Sequence, residues 1–308
     1  MKFKNYLTDF AYWAGWNILS LLPEFIVRFL FDAAAKYVWQ KKIKGIRQLE
    51  LNLSRATGLA IDSPQIRELS LVNLKNYLRY YREVFLLPRW SITKINKKVI
   101  VRNVAQVDAA LKKGGIVIAL PHMGNWDLAG AWAANYFGQL CTVAERLRPE
   151  GVYQKFLKVR RKLGLTLISL EGDGNPYEFL KSNLLKGAPV ALLADRDVSG
   201  TGMSNTFFGV PTKTPIGPAL LAVESDLPLF TCATWYEGDK LIIEFDSQVE
   251  LPFEENFSTQ VPSTRASVKK AQEMSAIILQ RFEKYIAAQP QSWHQLQPIW
   301  SDLKADMS

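Results

Sequence analysis

The chain has few of the residues on which disulfide, redox and metal chemistry depend. Its 308 residues include two cysteines and two histidines. Cys141 and Cys232 both lie in apolar, strand-like runs, which predicts buried free thiols in a reducing compartment rather than a disulfide. Their spacing matches no metal site, so we predict neither a metal nor a cofactor. With His122 and His294 as the two histidines, candidates for a general base are few.

The sequence also lacks a run of about 20 apolar residues of the kind that spans a membrane. Its most apolar N-terminal stretch covers residues 5–22 and shows no small-residue cleavage site of a signal peptide. Asp9 and Asn17 interrupt this stretch, and Pro23 ends it. A second helix is predicted over 25–39, and both helices carry aromatic faces, which is typical of a hairpin in the membrane interface. A helix pair buried against the rest of the domain fits the pattern equally well.

Internal repeats, long linkers and low-complexity tracts are absent as well. We therefore predict N-terminal membrane-interface helices over residues 1–44 and a single α/β domain over 45–308. The net charge of +9 favours an anionic partner. No RNA- or DNA-binding signature is present, so we predict anionic membrane lipid and no nucleic acid. Because the basic residues are clustered, a non-catalytic protein that binds lipid or nucleic acid stays open as an alternative.

From residue 99 onward, short apolar runs alternate with helical patterns. Strands are predicted at 99–101, 115–120, 140–144, 165–170 and 189–194. Helices are predicted at 64–86, 105–112, 126–137, 150–163, 176–185, 216–224 and 263–288. Two further runs, 230–236 and 240–245, flank a Glu-Gly-Asp turn and predict a hairpin. The alternation predicts an α/β fold whose mostly parallel or mixed central sheet is covered by helices on both faces.

A histidine lies just past the end of the most apolar strand. His122 follows the predicted strand 115–120, in a turn that leads into the helix beginning at Trp126. Ligands bind at this edge of an open α/β sheet. The carboxylate of Asp127 can fold back across the turn onto the imidazole, which leaves the other ring nitrogen as a base. The helix dipole alone also explains a first-turn Asp, and a structural hydrogen bond also explains the histidine.

Two more acidic residues follow a predicted strand at the same edge. Asp195 comes directly after the strand 189–194, and Asp197 is the reserve candidate. In a parallel sheet these side chains lie near His122, although a role in capping the next turn explains Asp195 equally well. His294 lies in a Pro- and Gln-rich loop, and we expect it at the surface.

Other candidates have plain structural alternatives. Arg160 is suited to binding a phosphate through two parallel hydrogen bonds, but it lies in a basic cluster that is typical of a solvated helix face. Phe207 and Phe208 could line the path of an apolar ligand or belong to the core. Backbone N–H groups at Gly124 and Asn125 are candidates for stabilising an oxyanion.

Residues 121–127, Pro-His-Met-Gly-Asn-Trp-Asp, resemble the His-x4-Asp/Glu motif of acyl-CoA-dependent lipid acyltransferases. More narrowly, the chain resembles the lipid A late acyltransferases and the actinobacterial phosphatidylinositol mannoside acyltransferases. Residues 50–53 (Glu-Leu-Asn-Leu), 207–209 (Phe-Phe-Gly) and 217–219 (Gly-Pro-Ala) extend the resemblance, which covers nearly the whole chain to Trp300. The chain lacks the Phe-Pro-Glu-Gly-like block of glycerol-3-phosphate acyltransferases. Most lipid A enzymes have Glu at the fifth place of the motif, where this chain has Asp, and this difference favours the phosphatidylinositol mannoside branch.

The resemblance implies that the chain has a glycerol-3-phosphate acyltransferase-like fold and is an enzyme. It implies transfer of a long-chain acyl group, palmitoyl, from acyl-CoA to a mannose hydroxyl of a phosphatidylinositol mannoside. A lipid A-type acceptor is the alternative. The partners implied are acyl-CoA, a glycolipid acceptor and anionic membrane lipid, and the implied location is peripheral, on the cytoplasmic face of the cell membrane.

The resemblance also implies roles for individual residues. The implied catalytic residues are His122, Asp127 and Asp195. The implied substrate-binding residues are Gly124, Asn125, Arg160, Asp197, Phe207 and Phe208. His122 is expected to remove the proton from the attacking hydroxyl while Asp127 orients it, in a direct transfer through a ternary complex.

Overall fold

The computed structural model describes residues 12, 15–172, 174–198, 200–251 and 264–303. Half of the first predicted helix, over residues 5–22, therefore lies outside the described residues. Within them, residues 15–17 are helical and a short 3-10 turn spans Leu19–Leu21.

Helices and strands alternate along the chain as the sequence predicts. The helices are α1 (Glu24–Gln40), α2 (Lys44–Thr57), α3 (Pro64–Leu86), α4 (Ile92–Lys98), α5 (Ala105–Leu111), α6 (Trp126–Tyr136), α7 (Glu150–Lys162), α8 (Pro176–Leu185), α9 (Gly217–Ser225) and α10 (Thr264–Ala288). The strands are β1 (Val99–Arg102), β2 (Ile116–Leu120), β3 (Leu140–Ala144), β4 (Leu165–Ser169), β5 (Pro189–Leu193), β6 (Met203–Phe207), β7 (Val210–Thr214), β8 (Leu229–Glu237) and β9 (Lys240–Gln248).

Seven strands form one mixed sheet in the order β1-β9-β8-β2-β5-β3-β4. The strands β8, β2, β5, β3 and β4 are parallel, whereas β9 runs antiparallel to β8 and parallel to β1. The mostly parallel sheet and the hairpin formed by β8 and β9 are both confirmed. Because β5 lies directly beside β2, the residues that follow these two strands meet at one edge of the sheet.

Both faces of the central strand are buried, as its continuous apolar run predicts. Val117 and Ala119 pack into the core on one face, while Ile116, Ile118 and Leu120 pack into the core on the other. The first core is closed by α8, α9 and α10, and the second by α4, α6 and α7. Helices on both faces of the sheet are therefore confirmed, and the two cysteines are buried free thiols, as expected.

The N-terminal helix α1 has one buried face and one exposed apolar face. Ala35 packs with Ile46 and Leu74, which ties α1 to α2 and α3. Phe25 and Phe29, one turn apart, are 73% and 70% exposed. Each of the two alternatives for this region therefore describes one face of α1, and the division into residues 1–44 and 45–308 stays a prediction. None of the helices in the described part of the chain is long and apolar enough to cross a membrane.

Two strands and two helices were not predicted. The strands β6 and β7 form a separate two-stranded hairpin, and their polar residues hide the alternation that identifies a half-buried strand. Their two-residue loop has positive φ at both Phe208 (50°) and Gly209 (73°), the geometry of a type I′ hairpin turn. The helices α2 and α4 were missed as well: α4 is only seven residues long, and α2 begins without a side-chain cap.

Candidate active site

The turn after β2 carries His122 and is shaped by a glycine. Gly124 has a φ of +59°, and a Cβ atom there would lie 2.5 Å from the Thr234 carbonyl oxygen. A side chain is therefore excluded by both conformation and space. Asn125 then caps α6, because its Oδ1 accepts from the Leu128 N–H at 2.9 Å. The turn between the strand and the helix agrees with the sequence-based prediction.

His122 is paired with Asp195. The ring atom Nδ1 lies 2.5 Å from Asp195 Oδ1, and the backbone N–H of His122 donates to Asp195 Oδ2 at 3.1 Å. The indole N–H of Trp293 donates to the same Oδ2 at 2.9 Å. Asp195 is completely buried. This arrangement fixes the imidazole and leaves its second nitrogen, Nε2, toward the cavity that His122 lines.

The environment of Asp195 keeps it ionised. Burial alone raises the pKa of this carboxyl, but the attraction of His122 and the hydrogen bonds from His122 and Trp293 outweigh burial and hold the pKa below its usual value. An ionised carboxylate on Nδ1 favours the tautomer with the proton on Nδ1 and stabilises the imidazolium that forms when Nε2 accepts a proton. The pair can therefore act as a general base.

The expected hydrogen bond between Asp127 and His122 is corrected by the structure. Both oxygens of Asp127 are already bound: Oδ1 accepts from Arg160 Nε at 2.6 Å, and Oδ2 accepts from Arg160 Nη2 at 3.0 Å and from the Tyr80 hydroxyl at 2.7 Å. The carboxylate points from the first turn of α6 toward α3 and α7 instead of folding back across the turn. Asp195 takes the place beside His122 that the sequence assigned to Asp127.

Arg160 is not on a solvated helix face. Its side chain is 17% exposed and pairs with Asp127. Burial lowers the pKa of its guanidinium, but the adjacent Asp127 carboxylate more than compensates, so the pKa is raised and the group is cationic. Burial, followed by the nearby Asp127 charge, also raises the pKa of Tyr80 well above its usual value, which keeps its hydroxyl a donor. The phosphate contact expected of Arg160 stays a prediction.

A buried glutamate that the sequence did not reveal supports the turn from α3. Glu83 Oε2 accepts from the Asn125 side-chain amide at 2.8 Å and from the Tyr236 hydroxyl at 2.7 Å, and Oε1 accepts from Arg79 Nε at 2.9 Å. Glu83 is 3% exposed. The Arg79–Glu83 spacing of four residues is the available signal, but it is equally typical of a surface ion pair.

The C-terminal segment covers the His122 turn. Met123 forms an antiparallel bridge with Trp293, the His294 N–H donates to the His122 carbonyl at 2.9 Å, and His294 Nε2 lies 3.1 Å from the Gly124 carbonyl oxygen. The expectation of a surface position for His294 is wrong, because it is 5% exposed. Burial lowers its pKa to about 3, so its imidazole is neutral.

The Gly124 N–H is not available as an oxyanion donor, which corrects that part of the expectation. It donates to the Ser292 carbonyl at 2.8 Å. The turn is also held by the Thr234 hydroxyl, which donates to the Met123 carbonyl at 2.6 Å. The role expected of the Asn125 N–H stays a prediction.

Three other candidate residues make contacts that shape a loop or fill the core. Asp197 accepts from the backbone N–H groups of Gly200 at 3.0 Å and Gly202 at 2.8 Å, and so shapes the loop after β5. Phe207 is completely buried and stacks on Trp300 at 5.9 Å between ring centroids. Phe208 packs beside Phe207 in the same core. Neither phenylalanine lines the cavity at His122. Their packing fits the core alternative, and the acyl-path role expected of them stays a prediction.

A cavity of about 370 Å³ extends from His122 between α6 and the sheet. Its polar lining residues include His122, Glu145, Arg196 and Gln295. Its apolar walls come from β2, α6 and neighbouring strands and include Ile118, Leu120, Trp132, Ala133, Leu140 and Phe245. Within the described ranges, no group of three or more His, Cys, Asp or Glu side chains is placed to hold a metal ion. The site therefore combines a His–Asp pair that can act as a general base with a largely apolar cavity.

Comparisons with known proteins find relatives that match nearly the whole chain. Residues 1–302 match the model of the bacterial lipid A biosynthesis acyltransferase family. The phosphatidylinositol mannoside acyltransferase of Mycobacterium tuberculosis (strain ATCC 25618 / H37Rv) is 38% identical over 301 residues, which cover 95% of this chain and 88% of that protein. The phosphatidylinositol mannoside acyltransferase of Mycolicibacterium smegmatis is 35% identical over 298 residues, covering 96% of this chain and 91% of that protein.

Proposed function

Because the chain belongs to the bacterial lipid A biosynthesis acyltransferase family, we propose that it transfers a long-chain acyl group from acyl-CoA to a mannose hydroxyl of a phosphatidylinositol mannoside. Acyltransferase activity of the phosphatidylinositol mannoside acyltransferase kind is supported by its relatives. The observation that carries the proposal is the His122–Asp195 pair beside a largely apolar cavity that His122 lines. The donor, the palmitoyl group and the mannose hydroxyl are the proposed details.

In the proposed reaction, His122 Nε2 removes the proton from the attacking hydroxyl while Asp195 holds the imidazolium that forms. The hydroxyl oxygen forms a bond to the thioester carbonyl carbon, and the carbonyl electrons move onto its oxygen. When the carbonyl re-forms, the C–S bond breaks and coenzyme A leaves as a thiolate. The thiolate then takes the proton from Nε2, which restores the base and balances the step.

Direct transfer is favoured over a covalent acyl-enzyme. The thiol that lines the cavity belongs to Cys232, which is buried. Burial raises the pKa of this thiol, so it is neutral and a poor nucleophile. We propose that the sugar hydroxyl attacks the thioester itself, in a complex that contains both substrates.

The apolar walls give the cavity its proposed role as the site for the acyl chain. Each buried CH₂ group of a fatty acyl chain contributes about 0.8 kcal/mol to binding. The cavity lies on the face of the sheet that α6 covers, and His122 is one of its lining residues. A chain inserted there places its thioester next to His122.

We propose peripheral attachment to the cytoplasmic face of the cell membrane, through the exposed face of α1. Phe25 and Phe29 lie on this face, and the exposed residues Lys36, Lys41 and Lys42 follow in the same region. Aromatic burial and attraction of lysines to anionic lipid, about 1 kcal/mol for each lysine near the surface, act together. A Phe25→Ser/Phe29→Ser variant should lose binding to anionic vesicles at an unchanged melting temperature. Unchanged vesicle binding would refute this assignment.

The experiment that tests the function supplies purified protein with radiolabelled palmitoyl-CoA and one of three acceptors: a phosphatidylinositol mannoside, a lipid A precursor, or phosphatidylinositol. Label in the mannoside alone supports the proposal. Label in the lipid A precursor alone would favour the alternative acceptor. A second arm compares donors of 12, 16 and 18 carbons. Absence of transfer to every acceptor, with folded protein, contradicts the proposal.

A further inference from the structure

Acyl transfer requires hydrogen-bond donors for the carbonyl oxygen, but the His122 turn has few to offer. The N–H of His122 donates to Asp195, the N–H of Met123 donates to the Pro121 carbonyl at 2.7 Å, and the N–H of Gly124 donates to Ser292. Three consecutive backbone donors beside the base are therefore occupied within the protein. Apart from the N–H of Asn125, a donor for a substrate oxygen therefore has to come from side chains in the cavity.

Two side chains that line the cavity carry buried nitrogen atoms that are candidates for this role. Among the residues that the structure describes, a few buried side-chain nitrogen or oxygen atoms have no hydrogen-bond partner. Two of the residues that carry them line the cavity at His122, and the atoms are Arg196 Nε and Gln295 Nε2. Arg196 is already anchored, because its Nη2 donates to Glu145 at 3.0 Å. The amide nitrogen of Gln295 has both of its hydrogens to offer.

Gln295 is a buried residue with a fixed backbone. It is 2% exposed, and its carbonyl accepts from the Asn52 side chain at 2.8 Å. Its chain neighbour His294 donates a backbone hydrogen bond to His122, so the segment that carries Gln295 is tied to the segment that carries the base. A buried polar group without a partner destabilises a fold, and a role in binding explains why one is present here.

We propose that Gln295 is a substrate-binding residue whose amide donates a hydrogen bond to a substrate oxygen beside His122. The inference rests on the proposed acyl transfer and adds a residue to it. Two oxygens share the required chemistry, namely the carbonyl oxygen of the thioester and a hydroxyl oxygen of the sugar. An uncharged amide is a known type of donor to the negative charge that develops on a carbonyl oxygen during attack.

The test compares Gln295→Met with Gln48→Met. Met is close to Gln in shape but has no amide. Gln48 is a matched control, because it is also buried but its amide donates to Asn52 at 3.0 Å and to the Leu303 carbonyl at 2.7 Å. Melting temperature and steady-state kinetics, with each substrate varied in turn, are measured for both variants. A second substitution, Gln295→Leu, is used if the first does not fold.

The two variants are expected to have opposite effects on melting temperature and on activity. Gln295→Met should keep or raise the melting temperature, because an unpartnered polar group is removed, and should lose activity about 10²-fold or more. Gln48→Met should lower the melting temperature and keep kcat. A loss in kcat at unchanged KM assigns the donor to the thioester carbonyl, and a rise in the KM for the glycolipid assigns it to the sugar.

Two results would overturn the inference. One is a Gln295→Met enzyme with wild-type kinetics. The other is a fall in melting temperature equal to that of the control, which would mean that the amide has a structural partner. Failure of the proposed function is recognised separately, since the wild-type protein would then transfer no acyl group.

Discussion

Two buried aspartates lie at the same edge of the sheet with opposite electrostatic surroundings. Asp195 faces a histidine, an indole N–H and a backbone N–H, so the partner that balances its charge is His122 itself. Asp127 faces the permanent cation Arg160 and the hydroxyl of Tyr80. Arg160 neutralises the charge of Asp127, and the contacts of Asp127 join α6, α7 and α3. The charge of Asp195 is balanced only when His122 is protonated. Asp195 therefore favours the protonated form of His122, as general-base chemistry requires.

The comparison extends to the two histidines. His122 has a carboxylate on one ring nitrogen and the cavity beside the other. His294 is buried, with Nε2 on a backbone carbonyl, and its pKa is low because of that burial. One pair, His122 and Asp195, is built to carry charge. The surrounding frame of Asp127, Arg160, Glu83 and His294 holds the turn in place.

The largest effect is expected where the charge-carrying pair is broken. Asp195→Asn removes the carboxylate, and an amide nitrogen placed against Nδ1 would force the proton onto Nε2, the atom that has to accept. We expect kcat to fall about 10² to 10⁴-fold with little change in substrate KM. Asp302→Asn, at an exposed ion pair with Arg55, is the control and should keep its activity. If the kcat of Asp195→Asn equals that of the wild type, the base does not depend on the Asp195 carboxylate.

The next largest effect is expected on stability, where the frame is broken. Asp127→Asn leaves the Arg160 cation without its charge partner, and such losses cost about 3 kcal/mol. Urea unfolding monitored by circular dichroism measures this change. The double variant Asp127→Leu/Arg160→Met should recover most of the loss, because it removes both charges. If Asp127→Asn unfolds like the wild type, the contrast between the two aspartates is incorrect.

The sheet was predictable because each parallel strand is a short, continuous apolar run bounded by turn residues. The placement of β5 beside β2 was not, since strand order depends on contacts between residues far apart in the sequence. The identity of the partner of His122 depends on that order, so the sequence brought Asp195 to the correct edge but assigned the hydrogen bond to the nearer Asp127.

Composition was misleading where polar residues are buried. The Gln- and Pro-rich segment around His294 has the composition of an exposed loop, yet it forms a bridge on the His122 turn. Its burial depends on Asn52 and Asn73, whose side-chain amides donate to backbone carbonyls of residues 290–297. A pattern of single residues cannot reveal such partners. Glu83 was missed for the same reason.

A smaller effect is expected from the frame histidine, and it depends on pH. The pKa of His294 is about 3 in the folded chain and about 6.5 when unfolded. Its contribution to stability is therefore complete above pH 6.5 and is lost as the pH falls toward 3. By pH 5 the loss is about 2 kcal/mol. Urea unfolding gives the free energy of unfolding of the wild type and of His294→Gln at each pH between 7.5 and 5. The difference between the two free energies should change by this amount over that range. A difference that is the same at every pH would show that His294 does not titrate on unfolding.

The smallest effect is expected from the hydrogen bond that the indole of Trp293 donates to Asp195. Trp293→Phe keeps most of the ring but removes the donor, and the carboxylate then holds a proton on His122 more strongly. We expect the acidic limb of the pH–rate profile to move to higher pH and kcat at neutral pH to fall about 10-fold, which corresponds to about 1.4 kcal/mol. Trp300→Phe is the matched control, because Trp300 is also completely buried and donates to the Phe207 carbonyl at 3.1 Å. Its pH profile should keep the wild-type shape even if its stability falls. An equal shift in both variants would mean that the change comes from core packing and not from the charge on Asp195.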